Sequence, residues 1–194
     1  MDFKQEFIRL FDTYVKRDGA KELVEWLTTT DFFTAPASTR YHSAFEGGLV
    51  LHSLNVFTQL NQLAELYGLG PDDGLENPDE SITIVALLHD ICKVGCYKTE
   101  LRWRKDKNNQ WEQYPTFRFE EDFAYGGHGA KSVYLAQSFM KLTPEEASAI
   151  NCHMGQWDAT EYSNPTEVYR RNKLAWLLHV ADEAADFIME GQSN

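Results

Sequence analysis

The sequence is poor in cysteine and has no long apolar run. Its three cysteines, Cys92, Cys96 and Cys152, are an odd number without compact spacing. This pattern argues against a secreted disulfide framework and favours reduced thiols. No run of about 18 apolar residues occurs, and charged side chains are spread through the N-terminal helix pattern, so we predict neither a membrane span nor a signal peptide. We therefore expect a cytoplasmic protein.

Basic residues are also scarce. The 194 residues include 18 Lys and Arg against 30 Asp and Glu, which gives a formal net charge of −12. Such a charge disfavours a broad basic surface for duplex nucleic acid. It is compatible with a small anionic substrate held by a few cations or by a metal. The length suits one well-buried domain over residues 1–194, and its oligomeric state is not indicated.

Apolar residues recur at helical spacing through most of the chain and predict a mainly α-helical protein. Between the helices, the aromatic and β-favouring residues around an Asn-rich turn predict a β-hairpin at about 97–119. Ser81 is a candidate N-cap for the helix that contains VALLHDICKVG, and Thr143-Pro144 is a start signal for a later one. The predicted helices lie at about 3–15, 20–28, 48–67, 81 onward, 128–140, 143 onward and 165–188.

A His-Asp pair, His89 and Asp90, lies in the middle of the apolar stretch VALLHDICKVG. A buried carboxylate is costly unless it is paired or binds a metal. In isolation, such a pair is most simply a core histidine beside a carboxylate that caps a helix or binds arginine. The six histidines of the chain lack short zinc-finger spacing, so a shared site would have to be assembled from several helices.

Three motifs change this interpretation: GGLVLHSL around His52, ALLHDICKVG around His89 and Asp90, and LLHVADEAAD, which contains Asp182. Together they resemble the H…HD…D signature of the HD-domain superfamily of metal-dependent phosphohydrolases. The resemblance spans about residues 41–187 and implies a single HD-type helical bundle with the hairpin inserted, preceded by N-terminal helices in residues 1–40.

The resemblance implies a metal bound by His52, His89, Asp90 and Asp182. Imidazole and carboxylate together suit Mn, Fe, Ni, Co or Zn. In superfamily members with two metals, further histidines lie between the HD pair and the last aspartate, where this chain has His128 and His153. These two either bind a second ion, with Asp90 bridging and acting in catalysis, or contact substrate or water and donate a proton.

Other residues are candidates for substrate binding. Lys93 and Lys131 match common basic positions of the superfamily and would hold phosphate, although solvated lysines are an equal alternative. His42, in YHSAFEGGL, resembles a histidine in the HD portion of bacterial 3′–5′ exoribonucleases. It is either a pocket residue or a loop-surface residue. His179 would orient Asp182 or simply pack in the core. The cationic hairpin, with its tryptophans, would be a lid or a solvated edge.

The function implied is hydrolysis of a phosphomonoester or phosphodiester, in a nucleotide or short oligonucleotide. Two alternatives remain at this stage. One is a di-iron oxygenase, because some superfamily members use the same ligand order for oxidative cleavage. The other is a non-catalytic nucleotide sensor or interaction module, against which the complete set of ligand positions argues.

Overall fold

The computed structural model describes residues 2–121, 123, 125–158 and 164–191. This part of the chain is a mainly α-helical bundle with one β-hairpin between its fourth and fifth helices, which confirms the predicted fold class. In chain order the elements are α1 (Phe3–Tyr14), α2 (Ala20–Thr29), α3 (Gly48–Tyr67), α4 (Pro78–Leu88), β1 (Tyr97–Lys105), β2 (Trp111–Phe119), α5 (His128–Gln137), α6 (Pro144–Cys152), α7 (Pro165–Arg171) and α8 (Lys173–Ala184).

Helix α4 lies at the centre of the bundle. Every residue from Ser81 to Leu88 is buried, as expected for a helix that is apolar on all sides. Helix α3 packs on α4 and α8, and α6 packs on α5 and α8. Helix α1 contributes Phe7, whose ring packs against Phe11 of the same helix and against Phe32. No helix in the described ranges is long and apolar enough to cross a membrane.

The start and end of α4 differ from the prediction. Its N-cap is Asn77, whose side chain accepts a hydrogen bond from the backbone N–H of Glu80, and Pro78 occupies the first helical position. The assignment of Ser81 as N-cap was therefore wrong, because Asn followed by Pro is the stronger start signal. The HD pair was also placed wrongly in the helix interior: α4 ends at Leu88, His89 is its C-cap, and Asp90 begins a short 3₁₀ turn.

The C-terminal helix is interrupted, in contrast to the continuous helix predicted for 165–188. Asn172 ends α7 and caps α8, where its side chain accepts from the backbone N–H of Ala175. The same side chain donates to the backbone carbonyl of Glu145 in α6. Tertiary contacts thus fix the break. After α8 the chain continues as a π-helical segment, Ala185–Glu190, a geometry that often accompanies functional sites.

The hairpin is present at the predicted bounds. Its two strands pair antiparallel from Tyr97 opposite Phe119 to Lys105 opposite Trp111. The base is tied to the bundle, because the Tyr97 hydroxyl donates a hydrogen bond of 2.9 Å to the carbonyl of Ala37. Toward the tip, the side chains of β1 are exposed.

Candidate metal centre

His52 is positioned by the Gly-Gly pair at the start of α3. Gly47 has φ +81°, a backbone conformation that residues with a side chain rarely adopt. Gly48 lies so close to the preceding loop that a Cβ would come within 1.9 Å of the carbonyl oxygen of Ser43. The first turn of α3 can therefore pack on the loop of residues 37–43 only with glycine at both positions, and His52 follows one turn later.

His89 and His153 are held by the same local device. Each is the C-cap of its helix, and each donates Nδ1–H to the backbone carbonyl three residues earlier. The distances are 2.9 Å from His89 to Ala86 and 2.7 Å from His153 to Ile150. Because Nδ1 carries the proton, Nε2 of each ring keeps a lone pair that points away from its own helix.

The ligand atoms of five residues, carried by four helical segments, meet at one place. Nε2 of His52 lies 3.0 Å from Oδ1 of Asp182 and 3.3 Å from Nε2 of His89. The two carboxylate oxygens of Asp90 face different histidines. Its Oδ2 is 3.6 Å from His89 and 3.8 Å from His52, whereas its Oδ1 is 3.6 Å from Nε2 of His153.

Glu190 is a site residue that sequence reasoning missed. Its Oε1 lies 3.0 Å from Nδ1 of His52 and also accepts from the side-chain amide of Asn55 at 2.9 Å. Its Oε2 accepts from the hydroxyl of Ser43 at 2.5 Å. A carboxylate that holds the far nitrogen of a ligand histidine fixes both ring orientation and tautomer. No motif indicated Glu190, because it lies beyond the last matching motif and reaches His52 only through the fold.

The charges of the cluster favour a bound cation. Burial opposes ionisation of Asp182, but its hydrogen bond to His52 holds the pKa of the carboxyl below its usual range. Burial lowers the pKa of His89 to about 4. Burial also opposes charge on His52, yet hydrogen bonds to Asp182 and Glu190 raise its pKa to about 10. The site therefore holds two carboxylates that must be balanced by protons or by a metal.

Lys93 lies at the edge of the cluster and is buried. Its ammonium is 2.6 Å from Oδ2 of Asp90 and donates to the carbonyl of Ala37 at 2.9 Å. Despite burial, this ammonium keeps the pKa of Asp90 well below its usual value.

The donor set fits a metal ion. Oδ1 of Asp90 and Nε2 of His153 are both buried without a hydrogen-bond partner, which is costly in a protein interior. Ligand atoms about 2.1 Å from one ion lie roughly 3.0–3.5 Å apart, close to the separations found here. Among the described residues, three groups with ligand atoms within 4.8 Å of one another could hold an ion. They are His52, His89 and Asp90; His89, His153 and Asp182; and His42, His52 and Glu190.

Other predicted site residues line a small cavity beside the cluster. The cavity has a volume of about 110 Å³, and its walls include His42, Lys93 and His128. The His42 ring contacts the His52 ring at a tilt of 34° with 4.8 Å between centroids, and its Nδ1 is 2.9 Å from Asp186. The contact does not have the angles of a hydrogen bond, so both ring nitrogens of His42 are buried without a hydrogen-bond partner.

Lys131 and His179 lie elsewhere. Lys131 is only 1% exposed, and its ammonium lies 4.3 Å from the Phe123 ring and 3.5 Å from Glu121. Its role in holding phosphate stays a prediction. His179 places Nδ1 2.7 Å from the backbone carbonyl of His153. It thus contacts the turn that carries a ligand histidine.

Comparison with protein families gives a match to the HD domain over residues 49–185. The chain belongs to the HD domain family. The matched range contains five of the cluster residues and His128, in the order of the H…HD…D signature. His42, Asp186 and Glu190 lie outside the matched range. Searches of curated proteins and of solved structures give no match.

Proposed function

We propose that this HD domain is a metal-dependent phosphohydrolase that cleaves a phosphomonoester or phosphodiester of a nucleotide or short oligonucleotide. The observation that carries the proposal is the pair of unpartnered buried atoms, Oδ1 of Asp90 and Nε2 of His153, within a cluster of histidines and aspartates. A divalent transition metal bound there would polarise a phosphoryl oxygen and acidify water.

The ligands in this proposal are His52, His89, Asp90, His153 and Asp182. Their side chains are oriented before any ion arrives, because Ala86, Ile150 and Glu190 hold the far nitrogens of the three rings. Asp90 directs its two oxygens toward different histidines, an arrangement suited to a carboxylate that bridges two ions. His128 lines the cavity but belongs to none of the ligand groups found among the described residues. Binding of a second ion by His128 stays a prediction.

The remaining polar side chains would act on the substrate. Lys93 places a positive charge at the cavity wall, where it would stabilise negative charge on a phosphoryl group. His42 and His128 present imidazole groups to the same space and would hydrogen-bond phosphate oxygens or the leaving group.

The size of the cavity supports a substrate with a small reacting group and a larger remainder. Pockets that enclose a whole drug-sized ligand span about 300–1,000 Å³, whereas this cavity measures about 110 Å³. It would accept a phosphoryl group while the rest of a nucleotide stays outside. A short oligonucleotide as substrate stays a prediction from the sequence, and the net charge of −12 disfavours duplex nucleic acid.

Asp90→Ala tests the metal assignment. Protein purified without chelator is expected to contain about one or two equivalents of a transition metal, and the variant should lose both the metal and the hydrolysis of bis(p-nitrophenyl) phosphate or p-nitrophenyl phosphate. Asp90→Asn, which retains the side-chain volume, should lose them as well. Circular dichroism would show that both variants are folded.

Asp72→Ala is the matched control, because Asp72 is an exposed aspartate in a turn outside the cluster. A folded Asp90→Ala protein with full metal content and full rate would refute the site. The same metal analysis addresses the alternatives. Iron with a di-iron Mössbauer signature would favour an oxygenase, whereas nucleotide binding without turnover of any substrate would favour a sensor.

A further inference from the structure

The two faces of the hairpin differ in character. On one face, the residue pairs from the base to the tip are Tyr97–Phe119, Thr99–Phe117, Leu101–Pro115, Trp103–Gln113 and Lys105–Trp111. The base of this face packs against the bundle and lines a cavity of about 430 Å³ with residues of the 31–46 loop. Toward the tip it is open, and Leu101, Trp103 and Trp111 are 63%, 61% and 65% exposed.

The exposed aromatic residues on this two-stranded hairpin indicate that it binds a partner. A hairpin of two strands is marginally stable in water without packing, and contiguous exposed apolar surface usually marks a binding site. Trp103 and Trp111 are diagonal neighbours on the same face, at a Cβ separation of about 7–8 Å. The hairpin thus carries two exposed tryptophans close together on one face.

The hairpin is also the positively charged part of an acidic molecule. Residues 97–119 contain six Lys and Arg against three Asp and Glu, a formal charge of +3, whereas the rest of the chain carries −15. Lys105 lies over the Trp111 ring at 5.7 Å on the face of the two tryptophans, whereas Arg104 lies over the Tyr114 ring at 4.8 Å on the opposite face. Arg104 pairs with Glu112, but both side chains are exposed, and such pairs contribute little and are easily exchanged for phosphate.

The aromatic face leads to the candidate metal centre. At its base the Phe119 ring lies 6.2 Å from the ring of His128, which lines the small cavity. From Tyr97 to Trp103 the strand extends about 20 Å at its usual rise per residue. About six stacked nucleotides would cover that distance.

We propose that the hairpin is a binding arm for single-stranded nucleic acid, whose bases stack on Trp103 and Trp111 while Lys and Arg contact the phosphates. Aromatic platforms interleaved with cations are the usual design for binding single strands without sequence preference. A protein interface is less well matched, because lysine, which supplies three of the six cations of residues 97–119, is depleted from protein interfaces. The direction of the strand toward the cavity rests on the proposed hydrolase function, whereas the binding itself does not.

The test is a fluorescence anisotropy titration of the full chain with an oligothymidylate of about twelve nucleotides, made with phosphorothioate linkages so that it is not consumed. Trp103→Ala and Trp111→Ala should each raise Kd by about tenfold, since stacking on one aromatic residue contributes about 1–3 kcal/mol. Added salt should weaken binding by the wild type. Tyr67→Ala is the matched control, because Tyr67 is an aromatic residue of similar exposure (59%) at the far end of α3.

Hydrolysis of a small phosphoester, measured beside oligonucleotide binding, separates this proposal from the hydrolase proposal. Hydrolysis of bis(p-nitrophenyl) phosphate, which cannot reach the arm, should be unchanged in both tryptophan variants. Tryptophan-dependent binding with no hydrolysis of any phosphoester would retain the arm and reject the hydrolase. Absence of binding, or equal binding by wild type and both variants, would overturn the arm. So would a dimer-to-monomer change in the variants without any oligonucleotide binding, because the surface would then be an interface between copies.

Discussion

His89 and His153 hold their rings by the same contact, although they belong to different helices. Each donates Nδ1–H to a carbonyl in the last turn of its own helix, at 2.9 Å and 2.7 Å. A helix end has carbonyls without intrahelical partners, so a C-cap histidine can use one of them and direct Nε2 outward. His52 lies inside α3, where the nearby carbonyls are engaged, and it depends on Glu190 instead.

Glu190 is therefore expected to control metal affinity without binding the metal. Glu190→Ala should lower affinity about 10- to 100-fold, because His52 loses the carboxylate that fixes its ring. The metal affinity of Glu190→Gln should fall between those of Glu190→Ala and the wild type, because the amide oxygen still accepts a hydrogen bond from Nδ1–H of His52. Isothermal titration of metal-free protein with Mn²⁺ or Zn²⁺ would measure this order.

Glu65→Gln provides the comparison, because Glu65 is an exposed glutamate near the other end of α3. Equal metal affinity in the wild type and Glu190→Ala would show that His52 is oriented without the carboxylate. A purely structural role would lower thermal stability equally in the presence and absence of metal, which thermal melts under both conditions would reveal.

At the scale of elements, the start of α3 and the preceding loop form one unit. The loop supplies His42 to the cavity and Ser43 to Glu190, and it packs against the first turn of the helix that carries His52. The Gly-Gly pair permits this contact. These two glycines are the Gly-Gly of the GGLVLHSL motif that supported the family resemblance, so that part of the motif has a steric explanation.

Gly48→Ala is expected to disturb both stability and the site. The new Cβ would lie 1.9 Å from the Ser43 carbonyl oxygen, so the loop must move. Overpacking of this kind costs about 1–3 kcal/mol, and Ser43 would separate from Glu190. Urea unfolding and metal titration would measure the two effects.

Gly70→Ala should leave both quantities unchanged, because nothing lies within 4 Å of its Cβ position and its backbone is extended. If Gly48→Ala were as stable as Gly70→Ala, the loop would be free to withdraw from α3 without cost.

At the scale of the whole molecule, one arginine ties three parts of the bundle together. Arg17 lies between α1 and α2, and its guanidinium pairs with Glu80 of α4 at 3.1 Å and with Glu146 of α6 at 2.7 Å. Glu146 is fully buried and also accepts from the Ser81 hydroxyl and the backbone N–H of Thr143. The N-terminal helices are thus joined to the two helices that carry His89 and His153.

Arg17→Met should destabilise the fold by about 3 kcal/mol, because Glu146 would be left buried without its charged partner. The free energy of unfolding, measured in urea at neutral pH, tests this. Arg9→Met removes an exposed pair with Glu6 and should leave the unfolding midpoint nearly unchanged. Equal stability of the two variants would mean that the Ser81 hydroxyl and the Thr143 backbone N–H are sufficient to stabilise the buried carboxylate of Glu146.

The sequence by itself determined the features that depend on neighbouring residues. Periodicity gave the helices, the Asn-rich turn gave the hairpin, and Thr143-Pro144 gave the start of α6, because these signals act within a few residues of one another. The chemical identity of the His and Asp cluster also followed from the three motifs and their order.

Only the tertiary structure decided how distant residues meet. It placed Glu190 on His52 and His42 in the cavity wall, both through contacts between segments that are not neighbours in the sequence. It also interrupted the last helix at Asn172, whose side chain bonds to α6. Such contacts depend on how helices pack, and packing is set by side-chain shape across the whole bundle, which local patterns do not contain.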